Sequence, residues 1–130
     1  MDLEQRNRIN NGIWYTIHML SAKAITPERK AVFREYMKFL SEDNLPCSNC
    51  SYHLREYLMQ NPLEKELNYF VWSWRFHNTV NQRLGKPEVD FETASKLYLH
   101  GGAVCRQCGI DNPSADNGDR GTTVFSIMKY

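Results

Sequence analysis

The spacing of apolar side chains constrains this fold most strongly, because it follows the period of a helix along most of the chain. No segment before Thr122–Met128 shows the alternation of apolar and polar residues that is typical of a strand. That last apolar stretch is interpreted as either a strand or a packed tail. In the first periodic segment, from Asn11 to about Ala24, one face carries four residues at helical spacing, namely Trp14, Ile17, His18 and Ser21.

Four further segments have helical character. The sequence predicts helices from Pro27 to Glu42, from the first cysteine pair to about Met59, from Glu64 to Leu84, and from Phe91 to Leu99. The second helix should bury Val32, Phe33, Tyr36, Met37 and Leu40. Four principal helices with short connections predict an all-α fold, a four-helix bundle followed by a short fifth helix.

Composition excludes several classes of protein. The chain has 130 residues, the size of one domain. Its sixteen lysines and arginines nearly balance fifteen acidic residues, and no basic stripe is present, so a nucleic-acid partner is not expected. No apolar run has the length of a membrane span, and the polar first residues do not resemble a secretory signal.

The four cysteines form two Cys-x-x-Cys pairs, Cys47/Cys50 and Cys105/Cys108, which indicates redox or metal chemistry. Zinc ribbons usually separate their pairs by roughly 15–20 residues. Here the whole stretch from Ser51 to Val104 intervenes. The pattern therefore favours redox chemistry with no metal site, and a zinc-stabilised helical adaptor remains an alternative.

The first pair is expected at the start of a helix, where unpaired backbone N–H groups favour a thiolate. Cys47 would be the exposed sulfur, and Cys50 would lie one turn deeper and face the bundle interior. Thiol exchange only moves disulfides and does not create them, so the pair needs an electron acceptor such as a bound cofactor. A cofactor-free exchange protein is a second alternative.

Polar and aromatic residues share one face of the fourth predicted helix. The set comprises Phe70, Trp74, His77, Asn81 and Leu84, and on the first helix Trp14 and His18 also share a face. The histidines and the asparagine are either hydrogen-bonded core groups or part of a pocket for a flat heteroaromatic ligand with polar edges.

Three motifs together resemble the Erv/ALR family of FAD-linked sulfhydryl oxidases. They are Trp14-Tyr-Thr-Ile-His18, Cys47-Ser-Asn-Cys50, and the run from Trp72 to Pro87 that contains His77-Asn-Thr-Val-Asn-Gln-Arg-Leu-Gly-Lys86. The likeness covers roughly residues 10 to 100. It implies a helical bundle that holds FAD at its mouth, commonly as a homodimer, and that passes thiol electrons to oxygen with production of hydrogen peroxide. In that family the first cysteine exchanges with substrate and the second contacts the flavin, roles that fall on Cys47 and Cys50.

The resemblance also implies which residues bind FAD. Trp14 and His18 would lie against the isoalloxazine, and Tyr98 stands where the family often has a tryptophan near the adenine. The adenosine and phosphates would be cradled by His77, Asn78, Val80, Asn81, Leu84 and Lys86. The chain departs from the family pattern in three places: at Asn10-Asn11, where the family has Gly-Arg; near Lys23, where it has a tyrosine; and at Phe91, where many members have a cysteine of a disulfide that fastens the fifth helix.

Residues 1–108 are interpreted as the oxidase domain and residues 109–130 as a partly mobile tail. Cys105/Cys108 is either a redox shuttle, as in many relatives, or a local structural disulfide. Expected partners are oxygen and protein thiols, which are presented directly or by a thioredoxin-like or small dithiol carrier. By analogy with compact oxidases of large DNA viruses, the host cytoplasm and the virion are the expected location, with the mitochondrial intermembrane space as the alternative.

Overall fold

The computed structural model describes residues 2–99, and within that range the chain is helical, with no strand. The elements are α1 (Leu3–Lys23), α2 (Pro27–Ser41), α3 (Ser48–Gln60), a 3-10 turn (Leu63–Lys65), α4 (Tyr69–Arg83) and α5 (Phe91–Tyr98). Helix α1 packs against α4 and contacts α2, α2 packs against α3, and α5 lies against α1 and α4. The prediction of an all-α bundle with a short fifth helix is confirmed. The predicted roles of Thr122–Met128, of Cys105/Cys108 and of the tail lie outside the described residues.

Helix α1 begins at Leu3 rather than near Asn11. Asp2 caps it through a reciprocal pair of hydrogen bonds, in which the Gln5 backbone N–H donates to the Asp2 carboxylate at 2.8 Å and the Asp2 N–H donates to the Gln5 side chain at 3.0 Å. Its exposed first turns are largely polar, so apolar periodicity did not detect them. The extension brings additional polar residues to one end of the bundle.

Helices α2 and α4 correct two further predictions. Val32 is 65% exposed, so it does not belong to the buried face that Phe33, Met37 and Leu40 form. Helix α4 begins at Tyr69 rather than Glu64, because the Asn68 side chain accepts hydrogen bonds from the first backbone N–H groups of the helix and a separate 3-10 turn precedes it.

Trp72 joins three helices in the core. Its ring contacts Phe33 of α2, Tyr57 of α3 and Phe76 of its own helix, with centroid distances of 6.1, 5.4 and 5.5 Å. Its indole N–H donates to the Asn61 carbonyl at 2.8 Å. This buried ring therefore fixes α3, which carries the first cysteine pair, against α4.

The segment before α5 is fastened to α4 by side chains. Asn78 accepts from the Val89 N–H at 2.9 Å and donates to the Val89 carbonyl at 2.8 Å, and the Trp74 indole donates to the same carbonyl at 2.7 Å. Phe91 packs edge-on against Trp74 and Phe70, at 5.3 and 6.0 Å. At position 91, where the family resemblance leads one to expect a cysteine, this chain therefore has an aromatic side chain that packs against α4.

None of the helices in the described range, 2–99, has the length and apolar character needed to cross a membrane.

Candidate active site

Cys47 and Cys50 form a disulfide at the start of α3, with their sulfurs 2.05 Å apart. Cys47 is the N-cap residue, and the backbone N–H of Cys50 donates to its sulfur at 3.1 Å. Cys47 is exposed and Cys50 is half-buried. The helix start therefore presents the outer sulfur to solvent, and the N–H groups there stabilise negative charge on it whenever it is a thiolate.

The inner face of this disulfide borders a cavity of about 410 Å³ between α1, α3 and α4. That volume lies within the range of about 300–1,000 Å³ that is usual for sites of small molecules and cofactors. Eight of the residues assigned from the sequence line it, namely Trp14, Cys47, Cys50, His77, Val80, Asn81, Leu84 and Lys86. The structure therefore brings both cysteines and most of the assigned ligand residues to one space.

Other lining residues were missed by the sequence analysis. They are Asn7, Asn10, Asn11, Ile13, Ile17, Leu45, Pro46, Asn49, His53, Leu54, Phe76 and Arg83. The three asparagines on α1 include the pair that stands in place of the family's Gly-Arg. His53 follows Cys50 by one helical turn, so the same spacing argument that paired Trp14 with His18 could have found it.

The chemistry of the lining fits a flat ligand with negative charge. Arg83 and Lys86 lie at the end of α4, and the lining contains no aspartate or glutamate. Gly85 has φ of 72°, in the left-handed region that glycine adopts without strain, and it ends α4 so that the Lys86 N–H donates to the Asn81 carbonyl at 2.8 Å. Aromatic and aliphatic side chains form the rest of the wall, so a ring system and a diphosphate such as those of FAD match the residues present.

Trp14 and His77 form the aromatic part of this wall. Their rings are parallel within 2° with centroids 3.7 Å apart, and Phe76 lies 5.2 Å from the Trp14 ring. Trp14 comes from α1 and His77 from α4, so the stack depends on the packing of these two helices.

Three assigned residues do not line the cavity: His18, Asn78 and Tyr98. His18 is fully buried behind the wall, where its Nε2 lies 2.8 Å from His77 Nδ1. Asn78 bonds the Val89 backbone, and Tyr98 packs against His18 and Phe70 with centroid distances of 4.9 and 6.0 Å. His18 therefore contacts the wall through His77, Tyr98 packs behind His18, and Asn78 fastens the segment before α5.

Burial keeps both histidines neutral. Desolvation lowers the pKa of His18 to about 3. Desolvation is also the main cause that lowers the pKa of His77 to about 2, and the nearby His18 and Lys86 lower it further because they disfavour a second positive charge there. The Nδ1 atom of His18 lies 3.1 Å from the hydroxyl of Ser73, a buried residue that sequence reasoning did not single out. A neutral, hydrogen-bonded chain of side chains therefore supports the cavity from behind.

These pKa values predict that acid destabilises the fold. In the unfolded chain a histidine takes up a proton near pH 6.5, whereas the folded pKa values lie at about 3 and about 2. The free energy of unfolding should therefore fall as pH drops below about 6.5, by up to about 1.4 kcal/mol per pH unit for each histidine.

Urea unfolding between about pH 7 and about pH 5 measures how steeply the free energy of unfolding changes with pH. This interval is chosen because carboxylates titrate mainly below it. The matched variant is His18→Gln, in which the slope should fall to roughly half because one of the two groups is gone. A free energy of unfolding that stays level across this interval in the unmodified protein would contradict the assignment.

A helical bundle with a disulfide at a helix start, beside a cavity of cofactor size, defines a class of dithiol redox proteins. Comparison with known proteins identifies the group within that class: the Erv1 / Alr family profile matches residues 11–99. The chain belongs to the Erv1 / Alr family.

Individual relatives agree with this assignment. The FAD-linked sulfhydryl oxidase of African swine fever virus (isolate Tick/Malawi/Lil 20-1/1983) is 30% identical over 89 residues, which cover 65% of this chain and 75% of that protein. The FAD-linked sulfhydryl oxidase ERV1 of Arabidopsis thaliana is 32% identical over 115 residues, 83% of this chain and 59% of that protein. Sulfhydryl oxidase 2 of the same plant is 29% identical over 89 residues, 67% of this chain and 18% of that protein. The chain thus spans most of the viral relative and smaller parts of the plant proteins.

Proposed function

We propose that this chain is a FAD-dependent sulfhydryl oxidase that makes disulfide bonds in protein substrates through Cys47 and Cys50. The observation that carries the proposal is the position of the Cys47–Cys50 disulfide, with Cys47 exposed and Cys50 on the wall of a cavity of about 410 Å³ that is lined by aromatic rings and two cationic side chains. Membership of the Erv1 / Alr family supports it, as do the similar proteins of African swine fever virus and Arabidopsis thaliana, which are named as FAD-linked sulfhydryl oxidases.

The thiol steps follow from the exposure of the two sulfurs. A substrate thiolate attacks Cys47, the sulfur–sulfur bond breaks, and Cys50 leaves as a thiolate. A second substrate thiolate then attacks the substrate sulfur of the mixed disulfide and releases Cys47. The substrate has lost two electrons and two protons, and the Cys47/Cys50 pair has gained them.

Reoxidation of the pair needs an acceptor of two electrons. FAD supplies that chemistry when bound, and we propose that oxygen is the final acceptor, which gives hydrogen peroxide. The chain's own contribution is to hold Cys50 in the cavity wall that Trp14 and His77 also border.

We assign FAD binding to the wall residues Trp14, His77, Val80, Asn81, Leu84 and Lys86. Lys86 and Arg83 would pair with the phosphates, and the aromatic stack would contact a ring of the cofactor. His18 would hold His77 in the wall, Tyr98 would pack behind His18, and Asn78 would fasten the segment before α5 to α4.

We further propose that the substrates are protein thiols, delivered directly or by a small dithiol carrier, and that the chain works as a homodimer. As the location we propose the host cytoplasm and the virion of a large DNA virus, with the mitochondrial intermembrane space as the alternative. Cys105 and Cys108 remain candidates for a shuttle pair.

The absorption spectrum of the purified protein tests the proposal. A flavin band in the visible range, one equivalent of FAD released on denaturation, and consumption of dithiol together with oxygen are the expected results. A colourless protein that contains zinc and loses its fold to a chelator would instead support the helical adaptor. A colourless, metal-free protein that only exchanges disulfides would support the cofactor-free alternative.

A further inference from the structure

The segment that joins α2 to α3 carries Cys47 at its end. This connecting segment, residues 42–47, lies between the last residue of α2 and the first residue of α3. Leu45, Pro46 and Cys47 all line the cavity, and the segment is exposed apart from the half-buried Leu45. The position of the outer sulfur therefore depends on what fastens this segment to the two helices.

The hydroxyl group of Ser51 links α3 to both α2 and the connecting segment. Ser51 follows Cys50 in α3 and is 0% exposed. Its Oγ donates to the Leu40 carbonyl at 2.9 Å and accepts from the Leu45 N–H at 3.3 Å. Leu40 lies in the last turn of α2, where carbonyl groups have no partner within the helix. One side chain therefore satisfies a carbonyl at a helix end and fastens the segment two residues before Cys47.

Backbone hydrogen bonds fasten the end of the same segment. The N–H groups of Cys50 and Ser51 both donate to the Cys47 carbonyl, at 3.1 and 3.3 Å. Residues 45–47 are thus bonded at both ends to the first turn of α3. None of these bonds involves a sulfur atom, so reduction of the disulfide does not itself break them.

We propose that Ser51 is a positioning residue that keeps Cys47 within reach of Cys50 while the pair is a dithiol. Reoxidation forms a sulfur–sulfur bond, with loss of two electrons and two protons to the bound FAD of the proposed function, and it is favoured when both sulfurs stay close. In the oxidised protein the disulfide itself holds the segment, so the hydroxyl of Ser51 acts mainly after reduction. The inference rests on the proposed function, because it takes the pair to alternate between disulfide and dithiol.

The equilibrium of the pair with glutathione, measured on the protein as purified, tests this inference. Oxidised glutathione takes two electrons and two protons from the dithiol and becomes two molecules of reduced glutathione. In Ser51→Ala the connecting segment is free to move once the disulfide is open, which favours the dithiol by the backbone freedom of about one residue. The equilibrium constant for oxidation of the pair should therefore fall on the order of tenfold, which raises the reduction potential by about 30 mV.

The constant is read without any signal from the flavin. Samples are equilibrated in glutathione mixtures without oxygen and trapped by alkylation, and mass spectrometry of the peptide that contains Cys47 and Cys50 gives the oxidised fraction. If the protein binds no flavin, the proposed function fails, while the glutathione constants still decide the role of Ser51.

Ser41→Ala is the matched control. It deletes another buried hydroxyl close to the connecting segment, but that hydroxyl donates to the Lys38 carbonyl at 2.6 Å, within α2. Its glutathione constant should stay close to that of the unmodified protein. A merely structural role of Ser51 would lower the melting temperature of Ser51→Ala and leave the constant unchanged. That result, or an equal fall of the constant in both variants, overturns the inference.

Hydrogen exchange of the Leu45 N–H keeps the inference testable if Ser51→Ala fails to fold. In the unmodified protein this N–H should exchange slowly in the disulfide form and also in the dithiol form, because its bond to Ser51 Oγ is present in both. Exchange in the dithiol form at the rate of an unstructured peptide overturns the inference.

Discussion

Cys50→Ser is expected to lower the turnover of substrate thiols by on the order of a thousandfold or more. Without the inner sulfur, Cys47 cannot form the disulfide that accepts substrate electrons, and no sulfur remains at the Cys50 position in the cavity wall. Consumption of a dithiol substrate, measured together with oxygen uptake, gives the rate. The loss should occur in a variant that keeps its flavin and its melting temperature close to those of the unmodified protein.

The adducts that Cys50→Ser and Cys47→Ser form with substrate separate the roles of the two cysteines, and Ser48→Ala is the control. Cys50→Ser keeps the exposed Cys47 as a thiol, so its attack on the disulfide of an oxidised substrate should leave a mixed disulfide at Cys47 and a free substrate thiol, seen as a mass increase that a reductant removes. Cys47→Ser should be as inactive but should form less of this adduct, because its remaining sulfur is half-buried. Ser48→Ala changes an exposed residue between them and should stay within about twofold of full activity. Turnover above a tenth of the normal rate in Cys50→Ser would contradict the mechanism.

Trp72→Ala should lower the free energy of unfolding by about 3–5 kcal/mol, the largest effect on stability that we expect from a single substitution here. The ring is 1% exposed and touches α2, α3 and α4 through Phe33, Tyr57 and Phe76, so its removal leaves a cavity where three helices meet. Urea unfolding followed by circular dichroism measures the change.

Trp72→Phe is the matched control. It keeps most of the aromatic packing and loses the hydrogen bond from the indole N–H to the Asn61 carbonyl. The free energy of unfolding should fall by about 0.5–1.5 kcal/mol for the hydrogen bond, with a further loss because the smaller ring makes fewer contacts. A loss below about 1 kcal/mol in Trp72→Ala would show that this ring is not central to the core.

Local signals in the sequence predicted most helix boundaries. Thr26 and Pro27 mark the start of α2 because a hydroxyl cap and a proline suit a first turn, and the Arg29 N–H indeed donates to Thr26 Oγ1. The start of α1 was missed because its first turns lack an apolar stripe, and only the Asp2 cap marks them. The start of α4 was placed too early because a 3-10 turn and an α-helix show similar spacing over a few residues.

The candidate site was predictable where helical spacing and family motifs agree. Cys47, Cys50, Trp14 and Lys86, which the sequence assigned to the site, all line the cavity. Spacing placed His18 on the same helix face as Trp14, but it does not reveal depth, and the structure puts that ring behind the wall. Ser73 carried no sequence signal, since its importance arises from contacts with α1 that only the packed fold creates.

Anaerobic titration with a dithiol tests the central claim most directly. The flavin absorption of the unmodified protein should bleach as electrons pass from substrate through the cysteine pair, whereas that of Cys50→Ser should persist on the same timescale. Equal bleaching in both proteins, or a purified protein without flavin absorption, would contradict the claim that the Cys50 sulfur connects substrate thiols to a cofactor in this cavity.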